Sequence, residues 1–270
     1  MANDPVKSLK IEAGNKVRLR SFDTDDTFGW HKESALAELE QVKVQLEVVQ
    51  QRLFGEEQRS LLLVLQAMDA AGKDGTIRSI FSGMNPAGVV VSNFGVPSEE
   101  ESAHDYLWRA HAHTPAKGRI GVFNRSYYED LLVVRVKGFA PRPVWSKRFE
   151  HINAFEQMLV DEGTTVVKIF LNVSKEVQRQ RLQERLDDPE KRWKFRKGDL
   201  DDRKLWPDYT RAYEDVLSRT SRADAPWYVV PADHNWVRNL VVAKVLLHHL
   251  ERMKPRLPES EPGLEGLVVE

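Results

Sequence analysis

Five apolar residues, Leu61-Leu-Leu-Val-Leu65, run directly into Gln66-Ala-Met-Asp-Ala-Ala-Gly-Lys-Asp-Gly75, and no other stretch restricts the fold as much. A short continuous apolar run before a turn is the mark of a strand buried on both faces. The small-residue loop ending in Gly72-Lys73 then makes a cradle for phosphate: loop N–H groups, the Lys73 ammonium and the positive end of a helix starting near Gly75 converge on one anion. The loop departs from the usual G-x-x-x-x-G-K-[ST] pattern twice, with Ala67 in place of the first glycine and Asp74 where a magnesium-binding hydroxyl belongs. Taken alone, the stretch reads equally well as an ordinary strand-turn-helix corner.

The rest of the chain supplies the context. Leu36, Leu39, Val42, Leu46, Val49 and Leu53 recur at three- and four-residue steps, which predicts a long amphipathic helix over 32–54. Further strands are expected at Val89–Val91, Arg119–Phe123, Thr164–Leu171 and Trp227–Val230. Between them lie helices: one capped by Ser98 and Glu101 and running to about Ala112, one over 143–161, one capped by Ser174, and a last one over 235–253. Parallel strands need crossovers, and helices supply each one, so the expected fold is α/β, a parallel sheet with helices on both faces. In such sheets ligands sit at the carboxyl ends of the strands. The chain divides into a polar, irregular arm over 1–30, a core domain over 31–253 with a lid at about 180–210, and a loosely held tail over 254–270.

Composition removes several classes of function. With 270 residues, 41% hydrophobic, the chain can bury a large core. A net charge of −1 argues against a general nucleic-acid binder, and the absence of cysteine excludes disulfides, zinc-thiolate sites and thiol nucleophiles. No leader-like pattern or apolar span is evident, so a soluble, cytoplasmic protein without membrane contact is expected. The histidines, His104, His111, His113 and the His248-His249 pair among them, have no zinc-like spacing.

Phosphoryl transfer requires a cradle, a divalent cation, carboxylates to hold it and guanidinium groups on the transferring group. Asp69 sits inside the phosphate loop, where a carboxylate is repulsive unless a cation intervenes, so it is a candidate metal ligand; the alternative is an Asp that satisfies its own loop N–H groups. The strand ending at Phe123-Asn124 carries Asn where many nucleotide-binding sheets place a magnesium-bound Asp. The anionic work then falls to Glu129 and Asp130, with Arg125 as a bidentate phosphate ligand or, alternatively, a helix-edge partner of Glu129. Lys191-Arg-Trp-Lys-Phe-Arg-Lys197 combines five cations and two aromatics without an acid, after a helix carrying Arg181 and Arg185 on one face. It suits a mobile lid over an anionic substrate, a single-stranded nucleic acid, or simply a solvated face.

Four segments, Gln66–Gly75, Asn124–Asp130, Asp188-Pro-Glu-Lys-Arg-Trp-Lys194 and Ala225-Pro-Trp-Tyr-Val-Val-Pro-Ala-Asp233, resemble in order and spacing the motifs of the polyphosphate kinase 2 family, over about 18–253. The resemblance implies a P-loop kinase fold with a lid and a magnesium-dependent, reversible transfer of the terminal phosphoryl of inorganic polyphosphate to nucleotides, with manganese as a substitute ion. It also implies a homo-oligomer, dimer or tetramer. The Asn124 and Glu129-Asp130 combination is similar to the class III subgroup that phosphorylates both AMP and ADP, with guanine nucleotides as further acceptors. By position, the resemblance assigns Asp69, Lys73, Arg125, Glu129 and Asp130 to catalysis, and Asp69, Glu129 and Asp130 to the metal. Ala70, Ala71, Gly72, Lys73, Asp74 and Gly75 form the cradle, and Arg181, Arg185, Lys191, Arg192 and Lys194 hold the phosphate chain. Two other readings remain: an ATP-dependent nucleotide or small-molecule kinase on the same sheet, and a noncatalytic polyanion binder.

Overall fold

The computed structural model describes residues 5–269. Residues 1–4 of the arm and residue 270 of the tail lie outside the described residues. A four-residue helix, α1 (Pro5–Ser8), leads into β1 (Lys10–Ile11), and the long helix α2 (Lys32–Glu56) follows. The central strand β2 (Ser60–Ala67) feeds α3 (Lys73–Phe81), and β3 (Val89–Asn93) is followed by α4 (Glu99–Ala103) and α5 (Trp108–Ala112). After β4 (Ile120–Asn124) come a 3-10 turn at Tyr127–Asp130 and three helices, α6 (Val133–Val136), α7 (Arg142–Trp145) and α8 (Arg148–Asp161). Next are β5 (Thr164–Asn172), α9 (Lys175–Asp187), α10 (Gly198–Lys204) and α11 (Trp206–Thr220), and the domain closes with β6 (Trp227–Pro231) and α12 (Asn235–Met253).

The strands form one sheet in the order β1-β6-β5-β2-β4-β3. The five expected strands pair in parallel, and β2 lies between β5 and β4 with all eight residues buried. That burial is why it reads as a continuous apolar run rather than as an alternation. Helices cover both faces. On one, α12 packs along α2 and α3; on the other, Lys168 of β5 meets Glu156 of α8, and Phe170 lies 4.4 Å from the ring of Tyr213 in α11.

The arm departs from expectation. It is not merely irregular: Lys10 and Ile11 pair antiparallel with Tyr228 and Trp227, adding a sixth strand that covers the β6 edge. Val6, Leu9, Ile11, Val17 and Leu19 of the arm are buried, so a few scattered apolar residues are enough to dock a polar segment. The helix expected from Ser98 to Ala112 is two helices. Ser98 and Glu101 form the capping box as foreseen, but Asp105 Oδ1 then accepts the Leu107 N–H at 2.9 Å and its own carbonyl accepts that of Trp108, which breaks the helix. Likewise the segment 143–161 divides into α7 and α8.

Candidate active site at the phosphate loop

The loop after β2 has the backbone that a phosphate cradle needs. Ala70 (φ 60°) and Gly72 (φ 105°) are both left-handed, and such alternation gathers successive N–H groups toward one point. Helix α3 begins at Lys73, two residues earlier than the sequence suggested. Lys73 is therefore in the first turn, buried, with Nζ donating to the Ala67 carbonyl at 3.3 Å. Burial pulls its pKa down to about 8, and Arg125 adds to this, while Asp69, Glu129 and Asp74 pull the other way.

Asp69 and Arg125 meet across the mouth of the loop, Arg125 Nη2 donating to Asp69 Oδ1 at 2.8 Å. The partner of Arg125 is thus Asp69 rather than a helix-edge Glu129. Register puts Arg125 there: Asn124 is level with Leu65 in the sheet, and the Arg125 N–H continues the ladder to the Leu65 carbonyl before the chain turns at φ 61°. Burial opposes the charge on Arg125, but Glu129 and Asp69 outweigh it and raise its pKa. Glu129 faces the same space, held by the Gln66 side-chain amide at 3.2 Å. Tyr213 of α11 closes the back; burial, and then Glu129 and Asp69, raise its pKa far above the ordinary phenol value.

Asp74, standing where a hydroxyl is usual, accepts the Asn124 side-chain amide at 2.8 Å, and the same amide reaches Asn93 at 2.8 Å. These contacts tie the ends of β3 and β4 to the first turn of α3. Gly75 follows within that helix.

Two of the expected site residues have partners that the sequence did not suggest. The Asp130 carboxylate pairs with Arg148 at 2.6 Å, and burial, opposed by Arg148, raises its pKa to about 6. Adjacent residues of a tight 3-10 turn project in different directions, which is why Glu129 meets Gln66 while Asp130 meets Arg148. Among the described residues no group of three or more His, Cys, Asp or Glu side chains is placed to hold a metal ion. Arg181 is not a free lid cation either. It is packed under the loop, donating to the carbonyls of Ala70 (3.3 Å), Ala71 (3.1 Å), Ala232 (2.9 Å) and Asp233 (2.8 Å). Arg185 lies one turn further along α9. Lys191 and Arg192 are exposed, Lys191 pairing with Asp188 at 2.7 Å and Arg192 donating to the Leu186 carbonyl at 2.9 Å. Lys194 lies over the ring of Trp193, which is 77% exposed.

Sequence reasoning missed Gln66, Gln178, Arg148 and Arg238. Gln178 Nε2 donates to the Asp69 carbonyl at 2.9 Å, and Arg238 Nη1 to the Ala71 carbonyl at 2.9 Å. Gln66 did leave a signal, as the one amide in an apolar strand. The other three sit on helices where a single polar residue is unremarkable.

Comparison with known proteins identifies the family. The family model described as polyphosphate kinase 2 matches residues 29–258. An AMP/ADP-polyphosphate phosphotransferase from Meiothermus ruber is 53% identical over 98% of this chain and 100% of its own length. An ADP-polyphosphate phosphotransferase from Rhodopseudomonas palustris is 43% identical over 96% of this chain and 94% of its own. The crystal structure of polyphosphate kinase 2 from Arthrobacter aurescens TC1 superposes with a TM-score of 0.92 at 40% identity, covering 96% of this chain and 93% of that one. A phosphate loop carrying Asp69 and Lys73, an Arg125–Glu129 segment facing it and a family match over most of the length lead to one conclusion: the chain belongs to the polyphosphate kinase 2 family.

Proposed function

We propose that the protein transfers the terminal phosphoryl of inorganic polyphosphate to AMP and ADP, forming ADP and ATP, reversibly and with magnesium. The observation that carries the reading is the convergence of Lys73, Arg125, Asp69 and Glu129 on the mouth of a loop with left-handed backbone at Ala70 and Gly72. Exposed Lys191 and Arg192 and half-buried Lys194 beyond it suit a long anion, and the names of the similar proteins supply donor and acceptors.

The loop N–H groups and Lys73 hold the phosphoryl being transferred, and Arg125, released from Asp69 as phosphate enters, spans two of its oxygens. An acceptor phosphate oxygen attacks in line, the P–O bond to the shortened chain breaks, and no covalent enzyme intermediate is needed. Positioning and charge neutralisation supply most of the rate. Asp69 and Glu129 suit magnesium, which is commonly held by one or two carboxylates plus substrate phosphates; bound there, or replaced by manganese, it would neutralise developing charge on the phosphate oxygens. Asp130, paired with Arg148, would position the turn rather than hold the ion.

We extend the reading to guanine nucleotides as further acceptors, to a homo-oligomer (dimer or tetramer) and to the cytoplasm, where such nucleotides are found. Among the described residues no helix is long and apolar enough to cross a membrane. The deciding assay is purified protein with magnesium and polyphosphate, offered AMP, ADP, GMP and GDP in parallel, with products separated by chromatography. ADP and ATP should accumulate from AMP; phosphorylation with ATP but not with polyphosphate as donor would overturn the assignment.

A further inference from the structure

Beneath the phosphate loop lie two guanidinium groups with neutral acceptors. Arg181 comes from α9 and Arg238 from the start of α12, and both donate to the Ala71 carbonyl. The Asn235 amide oxygen accepts from each, at 3.0 Å from Arg181 and 2.7 Å from Arg238, so a single oxygen separates two like charges. The remaining acceptors of Arg238 are the Asn239 amide oxygen, at 3.2 and 3.0 Å, and those of Arg181 are backbone carbonyls. None of these hydrogen-bond partners is a carboxylate.

Such an arrangement is costly in the unliganded protein. Arg238 is 3% exposed, and burying an ion without a counter-charge costs several kcal/mol. Burial, and then the neighbouring Arg181, pull the pKa of Arg238 down to about 9. What the pair accomplishes is visible in the loop: it holds the carbonyls of Ala70 and Ala71, fixing the peptide planes on either side of left-handed Gly72 and Ala70. Asp233 and Glu184 offset the charge of Arg181, but no carboxylate does so for Arg238, and a polyanion seated on the loop would provide that counter-charge.

We propose that Arg238, assisted by Arg181, is a positioning residue for the polyphosphate donor, fixing the Ala71 carbonyl behind the loop and lending its positive charge to the bound phosphate through the loop without touching it. The inference rests on the donor assignment above.

The test compares Arg238→Gln, which keeps a hydrogen-bond donor but no charge, with Arg238→Lys, which keeps the charge. KM and kcat for polyphosphate are measured at saturating ADP over a range of salt concentrations, alongside the melting temperature without ligand. Arg238→Gln should raise KM for polyphosphate about tenfold, equivalent to about 1.4 kcal/mol. It should also flatten the dependence of KM on salt, because one fewer positive charge acts on the chain through the loop. Arg238→Lys should keep the wild-type salt dependence and most of the affinity. The ligand-free melting temperature of Arg238→Gln should equal or exceed that of the wild type, a result that a purely structural arginine would not give. An unchanged KM in Arg238→Gln, or equal losses in the Gln and Lys variants, overturns the proposal. If Arg238→Gln does not fold, Arg181→Gln removes the other charge and is judged by the same criteria. Failure of the wild-type protein to use polyphosphate would instead overturn the donor assignment.

Discussion

Gly72 and Arg238 compete for one space: a Cβ on residue 72 would lie 2.7 Å from the Arg238 Cζ, inside any real contact. Residue 72 also holds φ 105°, a region that side chains avoid at a cost of about 1–3 kcal/mol. Gly72→Ala should therefore displace the loop from the guanidinium that fixes it and lower kcat about a hundredfold. Steady-state kinetics with ADP and polyphosphate checks this, and a rate within a few-fold of wild type would show that the loop tolerates the shift.

The Asp69–Arg125 pair gives a second expectation. Asp69→Asn removes a candidate metal ligand and frees Arg125, and Lys73→Ala removes the buried ammonium at the helix start. Each should lower ATP formation from ADP by about 10² to 10³, the cost of deleting one group aimed at developing charge. Circular dichroism should show the fold intact, and near-normal turnover would remove either residue from the chemistry.

Lys73 should set the alkaline limit of polyphosphate capture. Its pKa is lowered to about 8, mainly by burial, so the free enzyme loses this positive charge as pH rises through about 8. kcat/KM for polyphosphate should fall above that pH, since this ratio reports groups of the free enzyme. kcat should persist to higher pH because bound phosphate favours the charged amine. A kcat/KM flat from pH 7 to 10 would contradict this.

Asp130 has an acid-side signature of the opposite sign from an ordinary paired carboxylate. Burial raises it from 3.8 to about 6, so between these values the folded state keeps a proton that the unfolded state has released. Its contribution to stability therefore falls as pH rises from about 4 to 6, by up to about 3 kcal/mol, and levels off above. Urea melts of wild type and Asp130→Asn across that range should differ by this step, and parallel curves would refute it.

Far from the loop, Lys168 and Glu156 form a fully buried pair, with Tyr127 and Tyr128 donating to Glu156 at 2.9 and 2.7 Å. Removing one partner strands the other charge, so Lys168→Met should destabilise by about 3–5 kcal/mol. Adding Glu156→Gln should recover part of that loss in chemical denaturation. Both tyrosines belong to the turn that carries Glu129, so the single variant should also lose activity below its melting temperature.

The parallel sheet could be read from the chain because its strands are buried on both faces and appear as apolar runs, unbroken in Leu61–Leu65 and interrupted only by Lys168 in Val166–Leu171. The capping box at Ser98 and Glu101 and the cap at Ser174 were legible for a similar reason, as each is a contact within three residues. The β1 strand was not, since its pairing partner lies more than two hundred residues further along, at Trp227 and Tyr228.

Sequence alone determined the family and the strand, small-residue loop and helix around Lys73, because loop geometry depends on local backbone freedom and on small residues at fixed spacing. The tertiary structure decided which charges serve that loop. Of two neighbouring carboxylates, the 3-10 turn aims Glu129 at the loop and gives Asp130 to Arg148. Arg181 goes beneath the cradle rather than over it, and Arg238 joins it from 167 residues away. A side chain's charge is written in the sequence, but its partner depends on which backbone groups the packed helices bring within hydrogen-bond reach.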